Sequence, residues 1–290
     1  MTLDAWRYEP WIRLTAFLGI FVCMALWEWL RPRRPQAVGR TARWPSNLGI
    51  VAINTVLVRL VLPMSAVAWA DIVAQNGFGL LHWIVLPGWL AAAIAFVLLD
   101  LAIYLQHLLF HSVPMLWRLH RMHHADTEFD VTNGLRFHPL EIMLSMGIKF
   151  AAIALLGAPA LAVLVFEVVL NATSIFNHAN VDLPQALDRQ LRRWVVTPDM
   201  HRVHHSVVPR ETHSNFGFNL PWWDHLFRTY RAQPEQGHQA MQLGLPIFRD
   251  PAWLRLDRLL VQPWAGNTGP TRRDLRTRPP AAGPGDDANA

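Results

Sequence analysis

The sequence predicts an all-α integral-membrane protein, in which about four to five membrane-embedded helices form a bundle beneath a helical cap. Two counts support this fold class. Hydrophobic residues make up 52% of the 290 residues, while Asp, Glu, Lys and Arg make up only 16%. A soluble domain usually carries about 25% charged residues, so this chain has too few charges to cover a water-exposed surface. A soluble globular protein and a largely disordered chain are therefore both disfavoured.

Four apolar stretches are the candidate membrane helices, for which a bilayer requires about 20 residues each. They comprise residues 11–30, 48–70, 80–109 and 142–170. The first is followed by arginines rather than by a small-residue cleavage site, which favours a retained helix over a signal peptide. The second contains Pro63, so we expect a kinked span. The fourth is interrupted by Gly-Ala-Pro at 157–159, which predicts a membrane hairpin over 142–170.

Arginine predicts the orientation of these helices. Of the 26 basic residues only Lys149 is a lysine, and five arginines lie between the first two apolar stretches. Positive charge of this kind marks cytoplasmic loops. Counting spans places the end of the third stretch, and the histidine-rich region after it, at the same face. We therefore expect an integral protein of the bacterial inner-membrane type, with its histidine-rich site facing the cytoplasm and with no nucleic-acid partner.

The composition divides the chain into three regions. Residues 1–99 hold the N-terminal membrane helices, 100–262 hold a catalytic region with the hairpin 142–170, and 263–290 are rich in Pro, Gly, Arg and Ala. The last region lacks apolar periodicity, so we expect a disordered tail. Cys23 is the single cysteine, which excludes an internal disulfide and a cysteine-based metal site.

Histidine is the unusual residue of this sequence, since 12 of the 14 histidines lie between residues 107 and 225. Eight of them form one H-x-x-x-H motif and two H-x-x-H-H motifs: His107 and His111; His120, His123 and His124; His201, His204 and His205. Residues three and four apart share a helix face, and neutral imidazole is a good ligand for Fe, Zn, Cu and Ni. Eight imidazoles exceed the needs of one ion, which predicts a dinuclear metal site in the cap. His138 and His178 are further candidate ligands.

Asp100 and Tyr104 precede the first motif on the same predicted helix. With His107 and His111 they stand at i, i+4, i+7 and i+11, which is one stripe of a helix. A carboxylate in a membrane helix is costly and tends to be functional. We expect Asp100, with Tyr104 beside it, to orient a metal-binding imidazole; the alternative is an Asp that pairs with an arginine. Four further acidic residues flank the motifs and are candidates for the same role, namely Glu128, Asp130, Glu141 and Asp199.

The remaining histidines carry no spacing argument and are interpreted as capped or interfacial residues: His82, His213, His225 and His238. The aromatic segment 215–230 is expected to pack over the metal region as a lid or an interface anchor. The sequence contains no H-E-x-x-H motif, which would supply the general base of a zinc peptidase, and no flavin, haem or nicotinamide motif.

Five segments together resemble one family of membrane proteins. They are DLAIYLQH at 100–107, WRLHRMHH at 117–124, LRFHPLE at 135–141, TPDMHRVHHS at 197–206 and WDHLFRTY at 223–230. In these segments, which span somewhat under half of the chain, the protein resembles the fatty acid hydroxylase / sterol desaturase superfamily of integral-membrane oxygenases.

The resemblance implies a cytosol-facing diiron centre that uses O2 to hydroxylate or desaturate a C–H bond of a lipid. It carries ligand roles to the eight motif histidines and to His178, and it includes His138 in the site. His225 stands where relatives often have arginine, so no ligand role is carried to it. Two Fe ions are thus the expected cofactors, with O2 as co-substrate. The lipid is expected from the bilayer, and two electrons from a separate ferredoxin or cytochrome b5-like protein.

Two other functions remain open at this point. A histidine-rich zinc-dependent membrane hydrolase would use a nearby glutamate base and would need no oxygen. A metal-binding or transport protein would place its ligands deep inside several spans. Hydroxylation and desaturation begin with the same hydrogen abstraction, and sterol, alkylglycerol, fatty acyl, carotenoid and aminolipid substrates all suit this framework.

Overall fold

The computed structural model describes residues 7–277, and within this range the chain is helical with no β-strand. The helices are α1 Glu9–Leu30, α2 Arg40–Val61, α3 Ala66–Gln75, α4 Gly88–Ser112, α5 Pro114–His124, α6 Pro139–Leu156, α7 Ala160–Asn177, α8 Gln185–Leu191, α9 Pro198–His204, α10 Pro209–Thr212, α11 Trp222–Leu226, α12 Gly237–Ala240, α13 Leu256–Val261 and α14 Arg272–Thr277. Short 3₁₀ turns cover Leu80–His82, Asn133–Leu135, Pro251–Leu254 and Gln262–Trp264. The predicted all-α fold class is confirmed.

Five segments among the described residues are long and apolar enough to cross a membrane: α1, α2 together with α3, α4, α6 and α7. This number agrees with the predicted four to five. The kink expected in the second apolar stretch falls between α2 and α3, where Pro63 interrupts the helix. Ser65 caps the restart, because its Oγ accepts from Ala68 N at 3.1 Å.

The hairpin predicted at 142–170 corresponds to α6 and α7, which residues 157–159 join. Gly157 ends α6 with a φ of +65°, a left-handed conformation that favours glycine. The loop before α4 approaches this tip closely, since a Cβ on Gly79 would lie 2.1 Å from the Gly157 nitrogen. α3 and α4 each contact both arms of the hairpin, and α1 packs along α7.

Small and branched apolar residues of α3, α4, α6 and α7 form the core of the bundle. They include Ala66, Val67, Ala70, Ala95, Leu99, Ile103, Ile153, Val163 and Phe166. The outer faces of the long helices carry large apolar side chains, such as Trp11 and Leu30 of α1, each 66% exposed. Surface of this kind is unfavourable in water and suits contact with acyl chains.

A buried carboxylate inside the bundle is paired with two cations. Glu167 of α7 accepts from Arg13 Nη1 of α1 and from Lys149 Nζ of α6, each at 2.7 Å. An unpaired charge would be costly at this depth. The two ion pairs therefore join α1 and α6 to α7, and they give the single lysine of the sequence a structural role.

A second ionic network joins α2 to the loop between α5 and α6. Arg43 bonds both oxygens of Asp126, at 2.8 and 2.9 Å, and Asp130 at 2.5 Å. Arg136 Nη1 donates to the same Asp126 carboxylate at 2.9 Å. Burial acts to raise the pKa of Asp126, but Arg43 and Arg136 outweigh it and lower that pKa to about 2. Asp130, a candidate to orient a metal ligand, serves this network instead.

Residues 263–277, which belong to the region expected to be a disordered tail, are ordered against α5. Arg121 of α5 donates to the carbonyl oxygens of Gln262 at 2.8 Å, Ala265 at 2.5 Å and Asn267 at 2.6 Å. These bonds satisfy backbone groups that an irregular Pro- and Gly-rich segment cannot pair by itself. The chain from residue 263 to α14 therefore folds against α5, which corrects the expectation for this part. Residues 278–290 lie outside the described residues.

Arg43→Ala should lower the free energy of unfolding by about 3–5 kcal/mol, because it leaves Asp126 and Asp130 buried with a missing cation. Denaturant unfolding in detergent micelles measures this change. Arg59→Ala, at an exposed position of the same helix, is the matched control and should stay within about 0.5 kcal/mol. Equal losses in the two variants would contradict the role assigned to the network.

Candidate metal centre

Four helical elements bring histidines together at one end of the bundle. α4 contributes His107 and His111 in its last two turns, and α5 contributes the first triplet. His178 caps the end of α7, and α9 with its C-cap contributes the second triplet. The centre thus lies where the long apolar helices α4 and α7 meet the cap.

Helix α9 is short but firmly positioned. Pro198 occupies its first turn, where proline is favoured, and Thr197 Oγ1 accepts from Met200 N at 3.4 Å as the N-cap. All seven residues of α9 are buried. Its histidines therefore face the interior of the cap rather than solvent.

Nine buried histidines form two adjoining groups, in each of which the potential ligand atoms lie within 4.8 Å of one another. The first group comprises His107, His111, His120, His124 and His204, and the second His123, His178, His201 and His205. The groups adjoin, since the ring centroids of His124 and His205 are 4.5 Å apart. Each group could hold a metal ion, and the two groups are neighbours.

Backbone carbonyls determine which ring nitrogen carries the proton in three of these histidines. His107 Nδ1 donates to Phe216 O at 2.8 Å, His204 Nδ1 to Ser214 O at 2.6 Å and His178 Nδ1 to Ser174 O at 2.8 Å. A carbonyl oxygen can only accept, so each Nδ1 is protonated and each neutral ring presents an Nε2 lone pair.

These lone pairs face one another. His204 Nε2 lies 3.0 Å from His107 Nε2, and neither nitrogen carries a proton to share. Burial, together with the nearby His107, lowers the pKa of His204 well below its ordinary value, so added protons do not relieve the contact. Two lone pairs at this distance repel, whereas a cation bound between them would stabilise both.

Several other ring nitrogens of the two groups are buried without a hydrogen-bond partner. They are His111 Nε2, both nitrogens of His124, His123 Nδ1, His201 Nδ1 and His205 Nε2. Buried polar atoms rarely stay unpaired. Neutral imidazoles whose Nε2 atoms converge, as those of His123 and His201 do on His178 Nε2 at 3.2 and 3.1 Å, fit transition-metal ions.

The carboxylate at the centre is Glu141 of α6. Its Oε1 lies 2.6 Å from His120 Nδ1, and both side chains are buried. A carboxylate in this position orients the ring and leaves Nε2 for a metal. Glu141 is one of four flanking acidic residues that the sequence does not rank, and its bond to a grouped histidine distinguishes it.

Asp100 bonds no histidine of either group, which corrects the expectation that it orients a metal-binding imidazole. Asp100 accepts from Trp223 Nε1 at 2.8 Å and from Leu220 N at 3.2 Å. The Tyr104 hydroxyl bonds Thr229 Oγ1 at 2.8 Å. The stripe places Asp100 on the correct helix face, but seven residues correspond to about 10 Å along the axis, so it lies too far from the imidazoles.

These two residues instead hold the segment 215–230 against α4. Within the segment Asp224 accepts from Phe216 N and Gly217 N, each at 2.8 Å, and from Thr229 Oγ1 at 2.6 Å. Burial raises the pKa of Asp224 to about 6. The segment thus positions the Phe216 carbonyl to accept from His107 Nδ1. This role adds to the lid or interface anchor that its aromatic residues predict.

His138 lies outside both groups, which corrects its assignment as a candidate ligand. It is the N-cap of α6: its Nδ1 accepts from Leu140 N at 3.2 Å, and its Nε2 donates to Leu260 O at 3.1 Å. Both nitrogens are therefore engaged. The sequence carried a signal for this role, because Pro139 follows directly and proline favours the first position of a helix.

The four histidines interpreted as ordinary lie outside the two groups as well. His213 nevertheless reaches the centre, since its Nδ1 lies 3.0 Å from His111 Nδ1. No spacing rule predicts this contact, because 102 residues separate the two positions.

Within the described residues, the fold and the site together define a class: a helical protein with five candidate membrane-spanning segments and two adjoining histidine groups, each of which could hold a metal ion. Residues 92–229 match the model of the family described as Fatty acid hydroxylase, and all nine grouped histidines lie in that range. This match, over about half of the chain, supports the resemblance to the fatty acid hydroxylase superfamily.

Three curated relatives illustrate the likeness. The chain is 33% identical to ornithine lipid hydroxylase OlsE of Rhizobium tropici over 48% of this chain and 41% of that protein. It is 28% identical to alkylglycerol monooxygenase of Danio rerio over 55% of this chain and 34% of that protein. It is 29% identical to cholesterol 25-hydroxylase of Rattus norvegicus over 49% of this chain and 47% of that protein. The aligned segments thus span less than half the length of these relatives. No solved structure matches the chain.

Substitutions in α9 should separate the two metal sites. His204→Ala removes a ligand from the first group and His201→Ala one from the second, so each variant should lose most of one ion and keep the other. Metal content per chain, measured by mass spectrometry after loading and desalting, checks this.

His138→Ala is the matched control. It should keep both ions, although loss of the N-cap should cost about 1 kcal/mol of stability. Loss of metal from this variant with full retention in the two α9 variants would contradict the grouping.

Proposed function

We propose that the protein is a membrane-bound non-haem diiron oxygenase that uses O2 and two external electrons to hydroxylate a C–H bond of a lipid. The observation that carries the proposal is the pair of adjoining, buried imidazole groups at the end of apolar helices α4 and α7. The names of the relatives, which are lipid hydroxylases and a lipid monooxygenase, support the reaction class.

Iron is the metal that suits this chemistry. An unactivated C–H bond requires a strong oxidant, which two iron ions supply by reaction with O2 and which zinc, without redox chemistry, does not. The first group would hold one ion and the second group the other. Glu141 and the carbonyls of Phe216, Ser214 and Ser174 would keep the rings in the tautomers that leave Nε2 free.

The residues around the centre exclude water and direct the substrate. His107 is the most accessible of the nine histidines, at 6% exposure, and it lies in the last turns of the apolar helix α4. A lipid chain would therefore approach from the bilayer at this end of α4. Exclusion of water protects a reactive centre from side reactions.

The alternatives left open by the sequence are less well supported. A hydrolase needs a free carboxylate base, whereas Glu141, the described carboxylate at the centre, is held by His120. A transporter would distribute its ligands through the spans, whereas the grouped histidines all lie at one end of the bundle. Because the three relatives are named as hydroxylases or a monooxygenase, we favour hydroxylation over desaturation. We propose a separate ferredoxin or cytochrome b5-like protein as the electron donor.

Iron-loaded protein in nanodiscs should convert a lipid to a product heavier by one oxygen atom, with the added atom derived from isotopically labelled O2. An ornithine lipid, an alkylglycerol and a sterol are the first substrates to test, with a chemical reductant and a ferredoxin as electron source. Zinc-loaded protein is the control and should be inactive. Product formed by the zinc-loaded protein under anaerobic conditions would exclude the oxygenase.

We also propose that the metal centre faces the cytoplasm. Arginines flank the centre in the sequence and also lie in the neighbouring loop 31–34, and arginine-rich loops are typical of the cytoplasmic side. In a Cys23→Ser background, Arg193→Cys reports on the cap and Trp83→Cys on the opposite end of α4, and both positions are exposed. In intact spheroplasts a membrane-impermeant maleimide should label only the Trp83→Cys protein. After lysis both should react, and the reverse pattern in intact spheroplasts would invert the orientation.

A further inference from the structure

His213 connects the metal centre to the C-terminal segment. Its Nε2 lies 3.0 Å from Pro270 O, and its Nδ1 lies 3.0 Å from His111 Nδ1. Because a carbonyl only accepts, His213 Nε2 carries the proton, and Nδ1 of the neutral ring is an acceptor. His111 Nδ1 must then donate, which leaves His111 Nε2 as a lone pair. That nitrogen is buried without a partner, as a metal ligand would be.

We propose that His213 is a positioning residue that fixes the tautomer and orientation of His111, and that residues 262–271 are part of the metal centre through the Pro270 carbonyl. The inference rests on the proposed metal centre. Backbone carbonyls orient His107, His204 and His178 in the same way. The orientation of His111 depends instead on a side chain and, through it, on a distant part of the sequence.

Helix α5 holds this segment in place. Arg121 donates hydrogen bonds to backbone carbonyls between residues 262 and 267. Arg118 donates to Pro263 O at 3.1 Å and to Thr268 Oγ1 at 3.0 Å. Trp117 Nε1 donates to Thr268 O at 3.1 Å, while the Trp117 ring lies 4.8 Å from the His111 ring and 5.3 Å from the His213 ring. One helix therefore presents ligands to the metal and donors to the segment.

Residues 262–271 lie outside the part of the chain that matches the family model. The family match ends at residue 229, whereas Pro270 lies 57 residues after His213. The His213 ring is not itself placed as a further ligand. Its Nε2 is bonded to Pro270 O, and its Nδ1 faces the proton-bearing Nδ1 of His111 rather than the free His111 Nε2.

Cobalt-loaded full-length protein in detergent tests the inference, with the ligand-field absorption spectrum and the rate of cobalt release to a chelator as readouts. His213→Leu removes the acceptor and should release one of the two ions about 10- to 100-fold faster, with an altered spectrum. His213→Asn keeps an acceptor for His111 and a donor for Pro270, so it should retain the wild-type rate and spectrum. His225→Gln, which removes an exposed imidazole outside both groups, is the control and should be unchanged.

Arg121→Met provides a second variant if His213→Leu does not fold. It loosens the segment without changing a histidine and should speed release of the same ion. An unchanged rate and spectrum in His213→Leu, or equal losses in the Leu and Asn variants, would overturn the positioning role while leaving the metal centre intact. A wild-type protein that binds no cobalt would overturn the proposed centre and this inference with it.

Discussion

Imidazole lone pairs held against one another in a buried site are the constraint on which the rest of the structure depends. His107 and His204 point unprotonated nitrogens at each other across 3.0 Å, because carbonyls bind the protons on their far sides. Burial disfavours the charged ring, so protonation does not relieve the contact. A cation bound between the two rings would resolve it, and the cap is the scaffold that holds the nine rings within reach of one another.

The scaffold is anchored to the membrane helices by buried polar contacts. Asp100 of α4 fixes the segment 215–230, whose Phe216 carbonyl orients His107. Arg43 of α2 bonds Asp126 in the loop after α5, and Glu141 of α6 bonds His120. Helices of the bundle thus support both α5 and the segment that orients His107. This support holds these rings in place.

The nine grouped histidines could be named from the sequence, most of them because i, i+3 and i+4 spacing is a local property of a helix. The apolar stretches likewise indicated the bundle. The errors concern the position of a residue along a helix axis and contacts between residues that are distant in the sequence. The stripe through Asp100 predicted the correct face of α4 but placed Asp100 too close to the imidazoles along the helix axis. His138 is the N-cap of α6 rather than a member of either histidine group. The roles of His213 and of the segment after 262 depend on partners 57 or more residues away, which no periodicity encodes.

X-ray absorption and Mössbauer spectroscopy of the iron-loaded protein test the central claim most directly. The account predicts two iron ions per chain, each bound mainly by imidazole nitrogen, with an iron–iron scattering distance that indicates neighbouring ions. A single iron per chain, or sites dominated by carboxylate or sulfur ligands, would contradict it.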